Sequence, residues 1–177
     1  AGWREDVSVA VNLSTAQFRN RELVSQIKAT LEASGLPPER LNLEVTESLL
    51  LTDAENTLRM LHELRALGIR ISLDDFGTGF SSLSYLRSFP FDKIKIDKSF
   101  IHDLSRSNGS RAIVNAVIDL GRSLGMSTTA EGVETEAQLE LVRRQGCNEV
   151  QGFLFSMPVP AAAINRLLVN GETLRAW

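Results

Sequence analysis

The chain has 177 residues, of which 43% are hydrophobic and 23% are charged, and its net charge is -3 at pH 7. This length and composition are typical of one globular domain with a sizeable core and exclude a disordered chain. The small negative charge gives no electrostatic case for binding a nucleic-acid polymer. No apolar run is long enough to span a bilayer. The single cysteine, Cys147, excludes an internal disulfide and is typical of a reducing compartment such as the cytoplasm.

Segments with strand-like and helix-like patterns alternate along the chain. Polar and apolar residues alternate in the strand-like segments, whereas the helix-like segments carry an apolar stripe and most of them end at Gly or Pro. The predicted strands cover 7–13, 41–46, 69–73, 93–96, 127–130 and 149–152, and the predicted helices cover 22–34, 53–67, 82–89, 110–124, 136–145 and 161–169. Regular alternation of this kind predicts an α/β fold with a parallel sheet and crossover helices.

Each predicted strand has an apolar or neutral face and a polar face. In the second strand, for example, Leu43 and Val45 alternate with Asn42 and Glu44. Strands of an open, doubly wound sheet are covered by helices on both faces and are apolar throughout. In a barrel, one face meets the helices and the other points inward, with polar groups at the carboxyl ends of the strands. The alternation therefore favours a TIM-barrel-like fold.

The third predicted strand continues into a distinctive loop. Its apolar residues are followed by two adjacent acids, Asp74 and Asp75, and then by the glycine-punctuated segment 77–80. Acids are costly in a core unless they are paired or bound to metal, which favours a divalent metal site beneath a mobile loop. The alternative is a strand, a solvated turn and a helix capped by one of the two serines that follow.

Polar residues also stand at the carboxyl ends of the other predicted strands. The residues at these ends are Asn12, Glu44, Asp74, Lys95, Glu131 and Gln151, and Glu47, Asp75, Asp97 and Glu134 lie just beyond them. The set is rich in carboxylates and has no His or Cys, which favours Mg²⁺ or Mn²⁺ over Zn²⁺. Lys95 would be either a salt-bridge partner of these acids or a group that holds a metal-bound hydroxide or a developing charge.

Six motifs occur in the order in which one known family carries them. They are 12–14 (Asn-Leu-Ser), 44–47 (Glu-Val-Thr-Glu), 74–79 (Asp-Asp-Phe-Gly-Thr-Gly), 95–97 (Lys-Ile-Asp), 130–134 (Ala-Glu-Gly-Val-Glu) and 151–153 (Gln-Gly-Phe). From about residue 7 to residue 169 the chain resembles the EAL domain, the phosphodiesterase of bacterial cyclic di-GMP signalling. The resemblance implies a modified TIM barrel with an antiparallel first strand. It also implies hydrolysis of cyclic di-GMP to linear pGpG at a two-metal site holding Mg²⁺ or Mn²⁺.

The resemblance further implies the ligands of both metal ions. Asn12, Glu44 and Asp74 would be metal ligands, and Asp74 would bridge the two ions. Asp75 and Glu134 would hold the second ion. Two ions that flank an in-line displacement stabilise both the entering and the leaving oxygen.

Further roles follow from the same resemblance. Lys95 would hydrogen-bond the attacking water, Glu131 would be the candidate general base, and Gln151 would orient water or metal. Glu47 would anchor the loop. The loop residues are Gly77, Thr78, Gly79 and Phe80.

The chain departs from the family pattern in two places. It contains no Glu-Ala-Leu tripeptide, the signature that the family carries upstream of the Asn-Leu-Ser strand and whose Glu is a metal ligand. Residues 1–177 are therefore expected to be the C-terminal three-quarters of a single EAL phosphodiesterase domain, with an incomplete (β/α)8 barrel of about six strand–helix units. This part alone is expected to expose sheet edges, to oligomerise and to be nearly inactive. Met157 replaces a Lys or Arg that is usual in the family.

The resemblance also carries expectations about partners. The intact enzyme is expected to bind cyclic di-GMP, to form a homodimer beside the loop, and to follow an upstream sensor or diguanylate cyclase domain. It would lie in the cytoplasm or form the cytoplasmic part of a membrane-anchored protein. The alternatives are a catalytically inactive cyclic di-GMP receptor or signalling module and, less favoured by the motifs, an unrelated metal-dependent barrel lyase.

Overall fold

The computed structural model describes residues 7–50, 53–79, 83–105 and 107–164, with the backbone alone for 83–85. The strands are β1 (Val9–Leu13), β2 (Leu41–Thr46), β3 (Arg70–Phe76), β4 (Lys93–Ile96), β5 (Ser127–Glu131) and β6 (Glu149–Gln151). The helices are α1 (Thr15–Phe18), α2 (Leu23–Ser34), α3 (Glu47–Leu50), α4 (Ala54–Ala66), α5 (Leu83–Ser88), α6 (Lys98–His102), α7 (Asn108–Leu124) and α8 (Glu136–Gln145). A 3₁₀ turn at Pro38–Arg40 precedes β2, and residues 161–164 are helical.

The six strands form one parallel sheet whose spatial order is the order of the chain. Each crossover therefore advances by one strand in the same direction, without the reversal that defines a doubly wound sheet. The sheet curls into a half-barrel, which confirms the prediction of an incomplete (β/α)8 fold. All five described strand pairs are parallel, so the antiparallel strand that the resemblance implies is not among them.

The core lies between the outer face of the sheet and the helices. Val45, Ile71, Leu73 and Ile94 are fully buried there, and each such side chain contributes about 1.5–3 kcal/mol of burial free energy. The facing helices supply apolar stripes, including Leu61 and Leu64 of α4 and Val114 and Ile118 of α7. β1 differs, because it has one strand neighbour among the described residues and its Val11 remains 42% exposed.

Apart from short helices and one strand end, the described bounds of the predicted elements agree with the structure to within two residues. The bounds of β2, β4 and α8 match the predictions, but α1, α3 and α6 were not predicted because four or five residues carry no helical period. One signal was available for α1, where Ser14 and Gln17 form a capping box. β3 extends to Phe76 rather than ending at residue 73. The last predicted helix, 161–169, is described only to residue 164.

Among the described residues, none of the helices combines the length and the apolarity that crossing a bilayer requires.

Gly152 is required where the loops after β5 and β6 touch. Val133 N donates to Gln151 O at 3.1 Å, and Leu154 N donates to Val133 O at 3.1 Å. A Cβ on residue 152 would overlap the backbone of Val133. We therefore expect Gly152→Ala to lower the free energy of unfolding by about 1–3 kcal/mol through overpacking.

The matched control for this substitution is Gly109→Ala. Gly109 lies in the first turn of α7, and a Cβ there would be 3.5 Å from Ser107 Oγ, an ordinary contact. Helix propensity predicts a gain of up to about 1 kcal/mol for this change. Urea unfolding of both variants measures the difference, and equal stabilities would contradict the close backbone approach at Gly152.

Candidate active site

A β-bulge shapes the carboxyl end of β3. Leu73 pairs with Ile94 and Phe76 pairs with Ile96, so both intervening acids of β3 stand opposite the single residue Lys95 of β4. Neighbouring residues of a regular strand point to opposite faces, but the extra residue of a bulge re-aims the side chains beside it. The backbone of Asp75 adopts the left-handed conformation, with φ 55°. Its N–H donates to Asp74 Oδ1 at 3.1 Å. The bulge therefore lets both acids serve one site.

The two acids of β3 meet an acid from β5. Carboxylate oxygens of Asp74, Asp75 and Glu131 all lie within 4.8 Å of one another, which is a separation suited to a shared cation. Burial, and then the nearby carboxylates of Asp74 and Asp97, raise the pKa of Asp75. Burial is also the main cause that raises the pKa of Glu131, despite the opposing hydrogen bond from Lys95. Burial thus disfavours the charged form of both carboxyl groups.

Lys95 lies at the centre of the carboxylates. Its Nζ is 2.7 Å from Glu131 Oε1, 2.8 Å from Glu44 Oε2 and 2.9 Å from Asp74 Oδ1, and the residue is only 4% exposed. Burial alone would lower the pKa of Lys95, but hydrogen bonds to Glu131, Glu44 and Asp74 outweigh it and raise the pKa well above its usual range. Lys95 is therefore a charged salt-bridge partner of three acids, one from each of β2, β3 and β5.

Glu47, the first residue of α3, is hydrogen-bonded to the loop that follows β3. Glu47 Oε1 accepts a hydrogen bond from Gly77 N at 3.0 Å. A Cβ on residue 79 would overlap Glu47 Oε2, so a side chain at that position would displace the carboxylate. Oε2 is buried and has no hydrogen-bond partner among the described residues. The anchoring role of Glu47 remains a prediction.

Two further loop residues, Gly77 and Thr78, make close contacts with α6 and with the bulge. Gly77 has φ 97°, and a Cβ there would lie 2.9 Å from the Phe100 ring. Thr78 Oγ1 donates to Asp75 O at 2.9 Å, which ties the loop to the bulge. Phe80, the last predicted loop residue, lies outside the described residues.

Three predicted site residues lie at the rim rather than in the centre. Asn12 and Gln151 are exposed and stand opposite Glu44 and Glu131, respectively, in the strand register. The Glu134 side chain is 43% exposed, and its Oε1 lies 3.7 Å from His102 Nε2. The structure thus brings Glu44, Asp74, Asp75, Lys95 and Glu131 together. The roles of the rim residues remain predictions.

A polar layer beneath the acids was not predicted as part of the site. Ser72 Oγ donates to Asn42 Oδ1 at 2.9 Å, Lys93 pairs with Glu149, and Thr129 Oγ1 donates to Glu149 Oε2 at 3.3 Å. These residues lie two positions before the site residues of the same strands, so the alternation that located the site also predicted them as inward-facing. The layer satisfies polar groups under the site, where most TIM barrels carry branched apolar residues.

A cavity of about 840 Å³ lies elsewhere in the described structure. It lies between the segment joining α1 to α2 and helix α4, and Arg19, Arg21 and Arg59 are among its lining residues. None of the clustered carboxylates lines this cavity. The chemistry of the side chains, rather than cavity size, therefore locates the candidate site at the strand ends.

Comparison with known families agrees with this geometry. The family profile described as the EAL domain matches residues 1–158. The chain belongs to the EAL domain family.

Three proteins illustrate the relation of this EAL domain to known ones. The bifunctional diguanylate cyclase/cyclic di-GMP phosphodiesterase MucR of Pseudomonas aeruginosa is 48% identical over 160 residues, which are 90% of this chain and 23% of MucR. A structure of the MucR phosphodiesterase in complex with c-di-GMP has a TM-score of 0.85 at 48% identity, with 89% of this chain and 64% of that chain covered.

The other two comparisons are with solved structures. The EAL domain of Mycobacterium smegmatis DcpA has a TM-score of 0.91 at 38% identity and covers 96% of this chain and 76% of its own. The manganese/cyclic di-GMP complex of Klebsiella pneumoniae BlrP1 has a TM-score of 0.80 at 36% identity, and the match covers 85% of this chain and 39% of that chain. The present EAL domain spans about a fifth of the length of the first curated relatives that it matches.

Proposed function

We propose that this EAL domain hydrolyses one phosphodiester bond of cyclic di-GMP and releases linear pGpG. The observation that carries the proposal is the convergence of Asp74, Asp75 and Glu131 beside Lys95 at the carboxyl ends of neighbouring strands. The names of relatives support it, because MucR is a cyclic di-GMP phosphodiesterase and BlrP1 binds manganese with cyclic di-GMP. We further propose that residues 1–177 are the C-terminal three-quarters of the catalytic domain.

The clustered acids fit a divalent metal. Carboxylate oxygens are the ligands that Mg²⁺ and Mn²⁺ prefer, and oxygens of Asp74, Asp75 and Glu131 lie close enough to share a cation. We propose two ions, held by Asn12, Glu44, Asp74, Asp75 and Glu134. When bound, they would supply Lewis-acid stabilisation of the negative charge on the phosphate oxygens. They would also reverse the negative field that the acids present to an anionic dinucleotide.

The chain's own residues would position the attacking water and accept its proton. With its carboxylate partners engaged by metal, Lys95 would offer one of its N–H donors to the attacking water or to a developing charge. Glu131 would accept the proton of that water, because a raised pKa brings a carboxylate closer to the pH range in which a general base is effective. Gln151, opposite Glu131 in the register, would orient the water.

Three further proposals concern the setting of this activity. The loop 77–80 would change arrangement when a second copy of the domain packs beside it, with Glu47 holding the active arrangement. The single buried cysteine favours a cytoplasmic location. An upstream sensor or cyclase domain would then control the site.

The test of the function is a direct assay. Purified protein is incubated with cyclic di-GMP and Mg²⁺ or Mn²⁺, and pGpG is separated by chromatography. Residues 1–177 are compared with a longer protein in which a Glu-Ala-Leu segment precedes them, and we expect the longer protein to be the active form. Chelation should stop the reaction. Binding of cyclic di-GMP by the longer protein without conversion at any metal concentration would instead support the receptor alternative.

The loop contact makes a separate prediction. Glu47→Ala removes the acceptor of the Gly77 N–H, and we expect turnover to fall on the order of 10–100-fold, the usual loss for a partner that orients a metal site. Metal affinity should stay within a few-fold of the wild-type value. Initial rates and a Mn²⁺ titration measure both quantities.

A matched control separates this effect from a general loss of charge. Glu32→Ala removes an exposed carboxylate on α2, far along the chain from the loop, and should leave turnover unchanged. Loss of Mn²⁺ binding in Glu47→Ala would show that Glu47 is a metal ligand and not a loop anchor.

A further inference from the structure

We infer that the Lys95 ammonium and the divalent metal compete for the same carboxylates, so that Lys95 sets the metal concentration at which the site fills. The inference deepens the proposed function and rests on it only in taking the clustered acids as the metal site. It concerns the metal-free protein and metal binding, both of which are measurable without the dinucleotide.

The contacts of Lys95 leave its ammonium no donor capacity to spare. Its three partners are Glu131 Oε1 at 2.7 Å, Glu44 Oε2 at 2.8 Å and Asp74 Oδ1 at 2.9 Å. An ammonium carries three N–H donors, so these three carboxylates use all of them. The side chain is buried, and water therefore does not weaken the ion pairs as it would at the surface.

All three partners bear on the metal site, because Glu44 and Asp74 are proposed ligands and Glu131 lies among the clustered carboxylates. Asp74 and Glu131, together with Asp75, are the carboxylates whose oxygens lie within 4.8 Å of one another. A metal ion bound there would draw on the negative charge that now stabilises Lys95. The two cations would also repel each other across a partly buried site, where charges interact more strongly than in water. Occupation by metal therefore weakens the Lys95 ion pairs, and the ion pairs weaken metal binding.

Lys95 also stabilises the metal-free fold. Glu44, Asp74 and Lys95 are buried, and Glu131 is half-buried, so unpaired acids here would destabilise the folded state. Lys95 is the cation in contact with them, whereas Lys98 acts on Asp75 only through space. In the metal-free protein, Lys95 thus supplies the positive charge that a bound metal ion would supply to these carboxylates.

The test uses Mn²⁺ alone as the probe. Lys95→Met keeps the length and apolar stem of the side chain but removes its charge. We expect the Mn²⁺ dissociation constant, measured by calorimetry and electron paramagnetic resonance, to fall on the order of tenfold or more. The thermal midpoint of the chelator-treated variant should be lower than that of the chelator-treated wild type. Added Mn²⁺ should raise the midpoint of the variant by more than it raises the midpoint of the wild type.

Lys93→Met is the matched control. Lys93 lies two residues earlier on the same strand and is also paired with a glutamate, Glu149, but that carboxylate is outside the metal-capable group. Its Mn²⁺ affinity should change by less than about threefold, since charges beyond a direct contact are partly screened. Unchanged or weaker Mn²⁺ binding by Lys95→Met, or equal tightening in both variants, would overturn the inference.

The inference can still be tested if Lys95→Met is unstable. If Lys95→Met is unfolded in chelator, circular dichroism follows its response to Mn²⁺. Refolding by Mn²⁺ supports the inference, because the ion then replaces the ammonium, and failure to refold overturns it. Tighter Mn²⁺ binding in a protein that never converts cyclic di-GMP would reject the proposed function and leave the competition standing.

Discussion

In the longer protein that carries a Glu-Ala-Leu segment, Asp74→Asn should abolish conversion of cyclic di-GMP to pGpG, with a loss of at least about 100-fold, because even a partner behind a metal ligand contributes 10–100-fold. Asp74 is buried at the β3 bulge, contacts Lys95 and belongs to the metal-capable group. Asparagine has nearly the same shape and keeps an oxygen for the Asp75 N–H, so we expect the fold to survive. Initial rates at several Mn²⁺ concentrations, with circular dichroism of both proteins, measure the effect.

An exposed aspartate supplies the control for this substitution. Asp119→Asn disrupts a surface ion pair with Arg122 on α7, and such pairs are worth little. Its turnover should equal that of the wild type. Undiminished hydrolysis by Asp74→Asn would mean that the charge at this position is not needed, and the proposed metal site would then be wrong.

The second large effect is expected at Lys95. Lys95→Ala removes a buried charge that faces three carboxylates, and kcat at saturating metal should fall on the order of 100-fold or more, as when a positioned electrostatic group is lost. The apparent affinity for cyclic di-GMP should change less. Steady-state kinetics at saturating Mn²⁺ separates the two quantities and removes any effect of the variant on metal affinity.

The two kinetic constants distinguish the roles of Lys95. A fall in kcat with little change in KM indicates an interaction made in the transition state, whereas a rise in KM with an unchanged kcat indicates uniform binding. The second result would make Lys95 a binding residue and would contradict its proposed role. Lys93→Ala on the same strand is the control and should retain kcat.

The amino-acid sequence by itself determined the architecture and the candidate residues. Strand alternation such as that of β2 distinguishes a barrel from a doubly wound sheet, because each residue of a strand points to the face opposite its neighbours. The same alternation placed Glu44 and Lys95 on the inward face, and the motifs identified the family that the profile confirms. These features are local, since they depend only on which residues follow one another.

Only the tertiary structure decided how these residues meet. The bulge that turns Asp74 and Asp75 toward one site depends on the pairing of β3 with β4, and no local pattern encodes a shift in register. The triple contact of Lys95 joins β4 to β2, β3 and β5. The fit of Glu47 against Gly79 joins segments 32 residues apart. Distances between strands follow from register and packing over the whole sheet, so the sequence determined which side chains face inward and the fold determined which of them touch.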